Sequence, residues 1–401
     1  MTLADPPNSP GPQRGNGRVL AAAQRLQPVD DTGEGLSIVV QGSLSAGNLA
    51  ETANSCAHWR TLFPQAEIIL AISTSDLVAE SQGAVQDLHD LQLLPRHKDD
   101  GGLQTAARRL RQACDRIVLS EGALPLPPIK FDQKVNNVNL QIVAAKAGLA
   151  KAKHAYVLRI RSDMVFLDRS FLRFYNANAT LPRHATAVFG QRVMISPFFT
   201  LNPFTMERLP FHYSDWFHFG LREDVQRIWD VGEMPLATAT HFEAHQHPPR
   251  ANRLERKFRV RVAVEQYLAF SCFSRLDGEL RLDHLIDRRS VDRSVRILLN
   301  DFLVYDPKQV PTAFDKYASA FRDPMMDLLC ITYPQWRALL DLPEDADFES
   351  YYSRAAKRAG REISIREEPL LRPVKFVRGA WRLLRRRRDE AKDILAQLAE
   401  R

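Results

Sequence analysis

A carboxylate follows a predicted strand, in a position where α/β proteins often bind ligands. Residues 156–160 form a short apolar run interrupted by Arg159, and Arg161, Ser162 and Asp163 come directly after it. Such a run predicts a strand in the middle of a helix-covered sheet. Because ligands of open α/β sheets bind outside the carboxyl ends of the strands, Asp163 could hold a cation or a polar ligand. The alternative is that Asp163 only ends the strand and caps a turn.

Two neighbouring features favour a ligand site over a plain turn. Arg159 and Arg161 are costly beside a buried strand unless they meet an anion or a carboxylate. Before the strand, apolar residues recur at helical spacing over residues 137–151 and predict a helix. Amide side chains are concentrated at its start, at Asn136, Asn137, Asn139 and Gln141. We therefore predict that Asn139 and Gln141 contribute to the site.

The first predicted strand ends in a segment that suits the same kind of site. Residues 36–40 are mostly apolar, and Gln41 and Gly42 follow them. A glycine lets the backbone turn sharply or approach a ligand closely, so we predict that Gln41 and Gly42 bind the ligand. A helix over residues 48–63 and a strand over 67–73 would complete a βαβ unit, which implies parallel pairing.

An aromatic segment, residues 197–221, contains a second candidate acid. It carries eight aromatic side chains: Phe198, Phe199, Phe204, Phe211, Tyr213, Trp216, Phe217 and Phe219. Aromatic faces bind sugar rings and bases, although a plain aromatic core explains such a run equally well. Asp215 is harder to assign to a core, because an acid among aromatic side chains must be paired or functional.

The remaining patterns predict more helices and strands. Helices are predicted over 169–177, 222–229, 262–273 and parts of 323–365, and strands over 115–119, 185–189 and 294–305. The polar loop 240–250 carries three histidines whose spacing permits a metal site, although polar loops often carry histidine without one. They are His241, His245 and His247.

Composition and motifs exclude several classes of protein. The four cysteines are scattered without a CxxC pair, which excludes a zinc ribbon and gives no disulfide framework. The chain contains no P-loop, GxGxxG, GxSxG or HExxH motif. It starts without the pattern of a signal peptide and has no apolar run of about 18 residues, so we expect a cytoplasmic protein.

Positive charge is concentrated near the carboxyl end. The net charge is +7, and residues 372–388 hold eight basic residues and no acid, which leaves the rest of the chain near neutral. A neutral body without a nucleic-acid motif argues against nucleic-acid binding. Apolar residues three or four apart, with Trp381 among them, predict a basic amphipathic helix on an anionic inner-membrane surface. The alternative is that this helix packs on the body.

These patterns divide the chain into four parts. We predict a disordered lead over 1–33, an α/β domain over 34–320, a helical extension over 321–368 and the basic tail helix over 369–401.

The segments together resemble the WavE family of lipopolysaccharide-synthesis proteins. The matching pieces are VVQGSL, the NxNxQIV…YVLRIRSD block, FHYSDWFHFGLREDVQRIWD, VEQYL, and NDFLVYDPKQ with the nearby Lys316 and Tyr317. They cover residues 36–317 in order. The resemblance implies an A-type glycosyltransferase fold: an α/β domain with a mixed, mainly parallel sheet flanked by helices.

The resemblance also implies a role for the triplet Arg161-Ser162-Asp163. Such enzymes end this strand in an acidic motif, usually Asp-x-Asp, that holds a divalent cation on the diphosphate of a nucleotide-sugar donor. Arginine replaces the first acid here, so only Asp163 would keep a metal-ligand role toward Mg²⁺ or Mn²⁺. Alternatively, Arg161 would meet the diphosphate directly through its planar guanidinium.

Two acids compete for the role of catalytic base. The resemblance places Glu265 where many A-type transferases have a catalytic acid, and Asp215 is the other candidate. An inverting transfer needs one carboxylate to deprotonate the acceptor hydroxyl, and we favour Asp215 because an acid among aromatic side chains is poised to accept a proton. A retaining mechanism would fit neither assignment.

The resulting hypothesis is a glycosyltransferase of lipopolysaccharide core or capsule synthesis. It would move a sugar from a nucleotide-sugar to a glycan or lipid-linked glycan acceptor. A non-catalytic glycan-binding or assembly protein is the alternative, and the loss of the first acid of the triplet supports it. Release of nucleotide from a sugar donor separates the two.

Overall fold

The computed structural model describes residues 32–75, 85–88, 91–94, 100–131, 135–323, 326–343 and 346–352. The strands are β1 Leu36–Leu44, β2 Glu67–Ser75, β3 Val85–Leu88, β4 Arg116–Ser120, β5 Tyr156–Arg161, β6 Val165–Phe166, β7 Val193–Ile195, β8 Phe217–Leu221, β9 Phe302–Val304 and β10 Thr312–Ala313. The helices are α1 Leu49–Leu62, α2 Gly101–Ala113, α3 Val138–Lys151, α4 Ser170–Asn178, α5 Arg222–Trp229, α6 Leu236–Ala239, α7 His241–Ala244, α8 Val264–Ser274, α9 Val291–Asp301, α10 Met326–Leu329 and α11 Tyr333–Leu340.

Eight of these strands form one mixed sheet in the order β3-β4-β2-β1-β5-β8-β7-β9. The central strands β4, β2, β1 and β5 are parallel, and β8 is inserted antiparallel between β5 and β7. Strand β3 pairs antiparallel with β4 at one edge, and β7 and β9 are parallel at the other. The predicted class, a mixed and mainly parallel α/β sheet flanked by helices, is therefore confirmed.

Helix α3 packs closely on the centre of this sheet. A side-chain amide oxygen of Asn136 accepts a hydrogen bond from the Val138 N–H at 3.0 Å and so satisfies one free donor of the first turn. Further along, α3 reaches β1 and β2 through Gly148, where a Cβ would lie 2.6 Å from Val39 Cγ1 and 2.7 Å from Ala71 Cβ. The helix is thus held at a distance that only glycine permits.

We expect Gly148→Ala to lower the free energy of unfolding by about 1–3 kcal/mol, because an added methyl group forces a close-packed core apart. Denaturant-induced unfolding measures the change. Gly278→Ala is the matched control, since a Cβ at Gly278 meets no atom within 4 Å. Equal stability of the two variants would show that α3 does not approach the sheet this closely.

Two predicted strands are wrong. Residues 294–305 form most of α9 and then the short β9, because Val291, Val295 and Leu298 recur at helical spacing and bury one helix face. Residues 185–189 form no strand; the N–H groups of Val188 and Phe189 donate instead to the Asp301 carboxylate at 2.7 and 2.8 Å. A side chain from the end of α9 thus satisfies backbone that was predicted to pair in a sheet.

The histidine-rich loop contains α7 and stacked rings. The ring centroids of His241 and His245 lie 4.2 Å apart, and His247 stacks on Phe242 at 4.0 Å. Among the described residues, no group of three His, Cys, Asp or Glu side chains is arranged to hold a metal ion. The metal site that the histidine spacing permits is not formed in this part of the chain.

Part of the predicted helical extension shares the core of the sheet. In α11, Trp336 and Leu339 are buried in the same apolar cluster as the central strands, and Trp336 Nε1 donates to the Leu298 carbonyl at 3.3 Å. No helix in the described part is long and apolar enough to cross a membrane. Residues 1–31 and 353–401 lie outside the described residues, so most of the predicted lead, the rest of the extension and the whole basic tail remain predictions.

Candidate active site

Three chain segments meet at the carboxyl end of β5. Parallel pairing of β1 with β5 places Gln41 opposite Arg161, and the Ser162 N–H donates to the Gln41 carbonyl at 2.8 Å. Because β8 runs antiparallel to β5, the residues that precede β8 reach the same edge, and the Arg161 N–H lies 3.4 Å from the Trp216 carbonyl oxygen. The sheet topology therefore brings the triplet and Asp215 to one edge.

Arg159 joins these segments from within the core. Its side chain is 1% exposed; Nε donates to Gln41 Oε1 at 2.5 Å and Nη1 donates to the Asp215 carbonyl oxygen. The guanidinium carbon also lies 4.1 Å from the centre of the Trp229 ring. Burial lowers the pKa of Arg159 to about 9, although the Asp215 carboxylate opposes this. Arg159 thus donates to neutral oxygens, where an anion or a carboxylate was predicted.

Three of the predicted ligand-binding residues have internal contacts. The Gln41 side chain accepts from Arg159 and donates Nε2 to the Gln141 carbonyl at 2.8 Å. The Asn139 amide donates to the Met234 carbonyl at 3.1 Å and accepts from the Met234 N–H at 2.7 Å. A Cβ on Gly42 would overlap Ser162 Oγ, so the glycine allows the ends of β1 and β5 to approach. These contacts position the site, and direct ligand binding by the three residues stays a prediction.

Other polar atoms around this edge are buried without a partner. Gln141 Oε1, Asn136 Nδ2 and Ser214 Oγ make no hydrogen bond within the described part of the chain. Buried polar atoms without a partner require an explanation, and a bound water or a polar ligand would provide one. Of the predicted amides, Gln141 therefore retains an unused acceptor next to the site.

Arg161 and Asp163 form a two-point ion pair. Arg161 Nε and Nη2 donate to the two carboxylate oxygens of Asp163 at 2.8 and 2.7 Å. Burial alone would raise the pKa of Asp163, but Arg161 and then Lys316 lower it, so the carboxylate stays ionised. Burial likewise opposes the charge on Arg161, yet the bonds to Asp163 raise its pKa. The Nη1 edge of this guanidinium has no hydrogen-bond acceptor among the described residues.

Asp215 carries a nearly buried carboxylate at this edge. Its side chain is 8% exposed, and none of the described residues donates a hydrogen bond to its carboxylate oxygens. Its charge acts on Arg159, Arg161 and Glu265. The carboxylate oxygens are not fully enclosed, so a water, a proton or a ligand can reach them. The sequence predicted that Asp215 is either paired or functional. No side chain in the described part pairs with it, so the functional role is the alternative that is left, and it stays a prediction.

Glu265 and His212 lie beside Asp215. In the first turn of α8, Glu265 Oε2 lies 3.3 Å from His212 Nε2, and His212 Nδ1 lies 2.8 Å from the Phe199 carbonyl oxygen. Burial raises the pKa of Glu265; His212 lowers it and the neighbouring Asp215 raises it further. The two competing acids are therefore within electrostatic reach of each other. His212 was not among the predicted site residues, although it interrupts the aromatic run three residues before Asp215.

A segment after β10 covers this group. The antiparallel pair β6–β10 brings Phe314 and Tyr317 over the triplet, and the Phe314 ring centre lies 5.2 Å from the Arg161 guanidinium carbon. Burial raises the pKa of Tyr317; Arg161 lowers it, and Asp215, Glu265 and Asp163 each raise it. Tyr317 is thus within electrostatic reach of all four charged groups. The only sequence signal for it was its place after the last matching motif.

The aromatic segment supplies the wall behind the site. Trp216 contacts Tyr317 at 4.9 Å and Phe199 at 5.6 Å between ring centres. Six of the eight aromatic side chains are buried, and Phe199 and Phe204 are half-buried. The core interpretation therefore accounts for most of this segment, and Phe199 contacts the site through its backbone carbonyl, which lies 2.8 Å from His212 Nδ1.

One cavity lies beside the sheet edge, and a larger one lies away from it. A cavity of about 230 Å³ beside Asp163 is lined by Ser162, Asp163, Met164, Val165, Ala313 and Asp315, and by Glu51, Asn54, Ser55 and His58 from α1. A larger one of about 1070 Å³ lies between residues 202–208, 248–250, 284–289 and 349–352. We place the chemistry at the sheet edge, because the Asp215 carboxylate and the Nη1 edge of Arg161, which have no hydrogen-bond partner among the described residues, are there.

The fold and this edge define an α/β protein with a charged site at the carboxyl ends of its central strands. The chain belongs to the WavE lipopolysaccharide synthesis family, whose model matches residues 129–347, more than half of the chain. The match contains the triplet, His212, Asp215, Glu265 and Tyr317, and it confirms the family predicted from the sequence. A search of curated proteins finds no significant match.

One solved structure shows a weak likeness. The mannosyltransferase PcManGT from Pyrobaculum calidifontis, in complex with GDP-Man and Mn2+, is 13% identical, with 87% of this chain and 80% of that chain covered. The TM-score is 0.28. We draw no conclusion about this chain from a likeness of that size.

Proposed function

We propose that this protein transfers a sugar from a nucleotide-sugar donor to a glycan acceptor in lipopolysaccharide synthesis. The Asp215 carboxylate carries this proposal, because it is 8% exposed and accepts no hydrogen bond from the described residues. Its charge acts on Arg161, whose Nη1 has no hydrogen-bond acceptor among the described residues. The family supports the pathway. A carboxylate that can take a proton and a cation that can face a phosphate are the two groups that glycosyl transfer requires.

In the proposed step, Asp215 accepts the proton of an acceptor hydroxyl. The acceptor oxygen forms a bond to the anomeric carbon, while the bond from that carbon to the donor phosphate breaks. The leaving diphosphate takes the electron pair, and the unused Nη1 edge of Arg161 stabilises its charge. Asp215 is nearly buried and Arg161 is partly buried, which strengthens these interactions relative to water.

The described residues do not form a metal site around Asp163. Both of its carboxylate oxygens accept hydrogen bonds from Arg161, and the described part offers no group of three ligating side chains. A divalent cation would have to compete with a guanidinium for the same oxygens. We therefore favour direct contact between Arg161 and the diphosphate, and no step of the proposed reaction depends on Mg²⁺ or Mn²⁺. The metal-ligand role of Asp163 stays a prediction.

A screen of nucleotide-sugars tests the proposal. A bound donor stabilises the folded state by about 2.7 kcal/mol at a hundred times its Kd, so thermal unfolding should shift upward for one donor. We expect the same shift with manganese and with a chelator, and release of nucleotide from that donor. Binding without any release of nucleotide, even with acceptor glycans present, would favour the glycan-binding or assembly alternative. A shift that needs manganese would restore the metal role of Asp163.

A further inference from the structure

The contact between His212 and Glu265 determines where protons are held in the site. His212 is 6% exposed and its Nδ1 lies 2.8 Å from the Phe199 carbonyl oxygen. A carbonyl oxygen only accepts hydrogen bonds, so Nδ1 carries the hydrogen. In a neutral imidazole this leaves a lone pair on Nε2, which faces Glu265 Oε2 at 3.3 Å.

A second proton must lie within this pair. A lone pair on Nε2 and an ionised carboxylate would repel each other at 3.3 Å, in a place where the Glu265 side chain is only 17% exposed. Either Glu265 is protonated beside a neutral imidazole, or His212 is an imidazolium beside a carboxylate. Both forms have no net charge. The pair therefore adds no negative charge next to Asp215.

The surrounding backbone holds both members in place. Phe199 and Phe211 have φ values of 63° and 59°, in the left-handed region that large side chains disfavour. One supplies the carbonyl that His212 contacts, and the other directly precedes His212. Such backbone persists where the rest of the structure enforces it, often at functional sites.

Gln266 fixes Glu265 from the other side. Its Nε2 donates to the carbonyl oxygens of Pro210 and Leu285 at 2.7 and 2.8 Å, and its Oε1 accepts from the Ala263 N–H at 3.0 Å. The first turn of α8 is thus attached to the segment that carries His212. The geometry of the pair does not depend on a ligand.

We propose that His212 is a positioning residue that holds Glu265 in a pair with one shared proton, so that Glu265 adds no negative charge beside Asp215, the acid that takes the acceptor proton. This role rests on the proposed transfer reaction. Besides His212, the groups that act on Glu265 are Asp215, Lys130 and Tyr317. Lys130 favours the ionised form, and burial and Asp215 oppose it. The proton taken from the acceptor goes to Asp215, and the proton of the pair stays where it is.

Three variants test the pair. His212→Asn can still donate to the Phe199 carbonyl, but it leaves Glu265 without its partner, so Glu265 ionises as the pH rises through its pKa. We expect kcat/KM for the donor to fall about tenfold above that pH, because a second carboxylate beside Asp215 opposes an anionic donor. Glu265→Gln keeps a neutral pair by donating to Nε2, and we expect about threefold loss or less.

The double variant His212→Asn with Glu265→Gln is the deciding measurement. It contains no second acid, so kcat/KM should return to within about threefold of Glu265→Gln, and the fall at high pH should disappear. A double variant no more active than His212→Asn would show that His212 only supports the fold, and would overturn the proposal. A dead Glu265→Gln variant would also overturn it, because Glu265 would then be the base.

A titration without turnover separates this proposal from the proposed function. The carboxyl carbon resonance of Glu265 is followed against pH in the full chain, with Glu265→Gln for assignment. If the shared proton lies on His212, the imidazolium lowers the pKa of Glu265 and His212→Asn should move its titration to higher pH. If it lies on Glu265, the same variant should move the titration to lower pH. Asp215 raises the pKa of Glu265, so Asp215→Asn should move its titration to lower pH. An unmoved titration in His212→Asn would refute the pair even if transfer is found. The expected shifts would support it even if no donor is turned over.

Discussion

Asp215→Asn is expected to lower the turnover of sugar transfer about 10²–10⁴-fold while the donor binds as well as before. Asparagine has nearly the same shape, so the contact of the Asp215 backbone carbonyl with Arg159 should survive. Only the ability to take the acceptor proton is lost. Steady-state kinetics with the donor identified by the thermal screen measures both quantities, and the free energy of unfolding confirms that the variant is folded.

An exposed acid provides the control for this variant. Asp230 is 66% exposed and pairs with Lys146 on the surface, so Asp230→Asn should leave turnover unchanged. If Asp215→Asn retains full turnover and Glu265→Gln has none, the base is Glu265. That outcome would reverse our assignment of the two acids without removing the site.

Arg161→Ala is expected to weaken donor binding about 10²–10³-fold, because it removes the guanidinium that we place against the diphosphate. Arg161→Lys keeps the charge but loses the planar two-point geometry, so its effect should be intermediate. Binding of the donor and of the free nucleoside diphosphate, measured by calorimetry, tests this directly. Equal binding by wild type and Arg161→Ala would exclude the diphosphate contact.

Asp163→Asn separates an orienting carboxylate from a metal ligand. If Asp163 only orients Arg161, we expect a loss of about tenfold and the same activity with or without a chelator. If Asp163 holds a cation, Asp163→Asn should be as impaired as Arg161→Ala, and a chelator should inactivate the wild type. The two results cannot both occur.

The Arg161–Asp163 pair also predicts a pH dependence of stability. The pKa of Asp163 is lowered from its ordinary value of 3.8, so the folded protein binds this proton less tightly than the unfolded chain. The stabilising contribution is fully present above 3.8 and is lost as the pH falls through the lowered pKa. Both groups are partly exposed, so we expect a modest effect at neutral pH that is weaker in high salt.

Local patterns determine the central unit of this protein. Helix α3, strand β5 and the triplet after it follow from helical spacing over residues 137–151 and an apolar run over 156–160, and the structure has both elements there. The same kind of pattern wrongly predicted a strand over residues 294–305, because the apolar residues there suit a strand as well as a helix. Only the choice of which face is buried decides between the two, and that choice depends on the packing partner.

Side-chain roles depend on distant chain segments and could not be read from spacing. The sequence indicated that Asp215 is unusual, because an acid among aromatic residues must be satisfied. It could not show that β8 is inserted antiparallel beside β5, which is what brings Asp215 to the carboxyl edge. Nor could it show that Gln41 is used by Arg159, since an amide has the same local pattern whether it binds a ligand or the protein.

The pair of His212 and Glu265 was decided by tertiary structure alone. His212 follows Phe211 and contacts the carbonyl of Phe199, and both of these phenylalanines have left-handed backbone. Glu265 lies in the first turn of α8. No periodicity relates them, and neither residue type by itself indicates a partner. The proton is shared because His212 Nδ1 donates to the Phe199 carbonyl, which leaves His212 Nε2 facing the partly buried Glu265 carboxyl group. The sequence determines which groups can exchange protons, and only the folded chain determines which of them face each other.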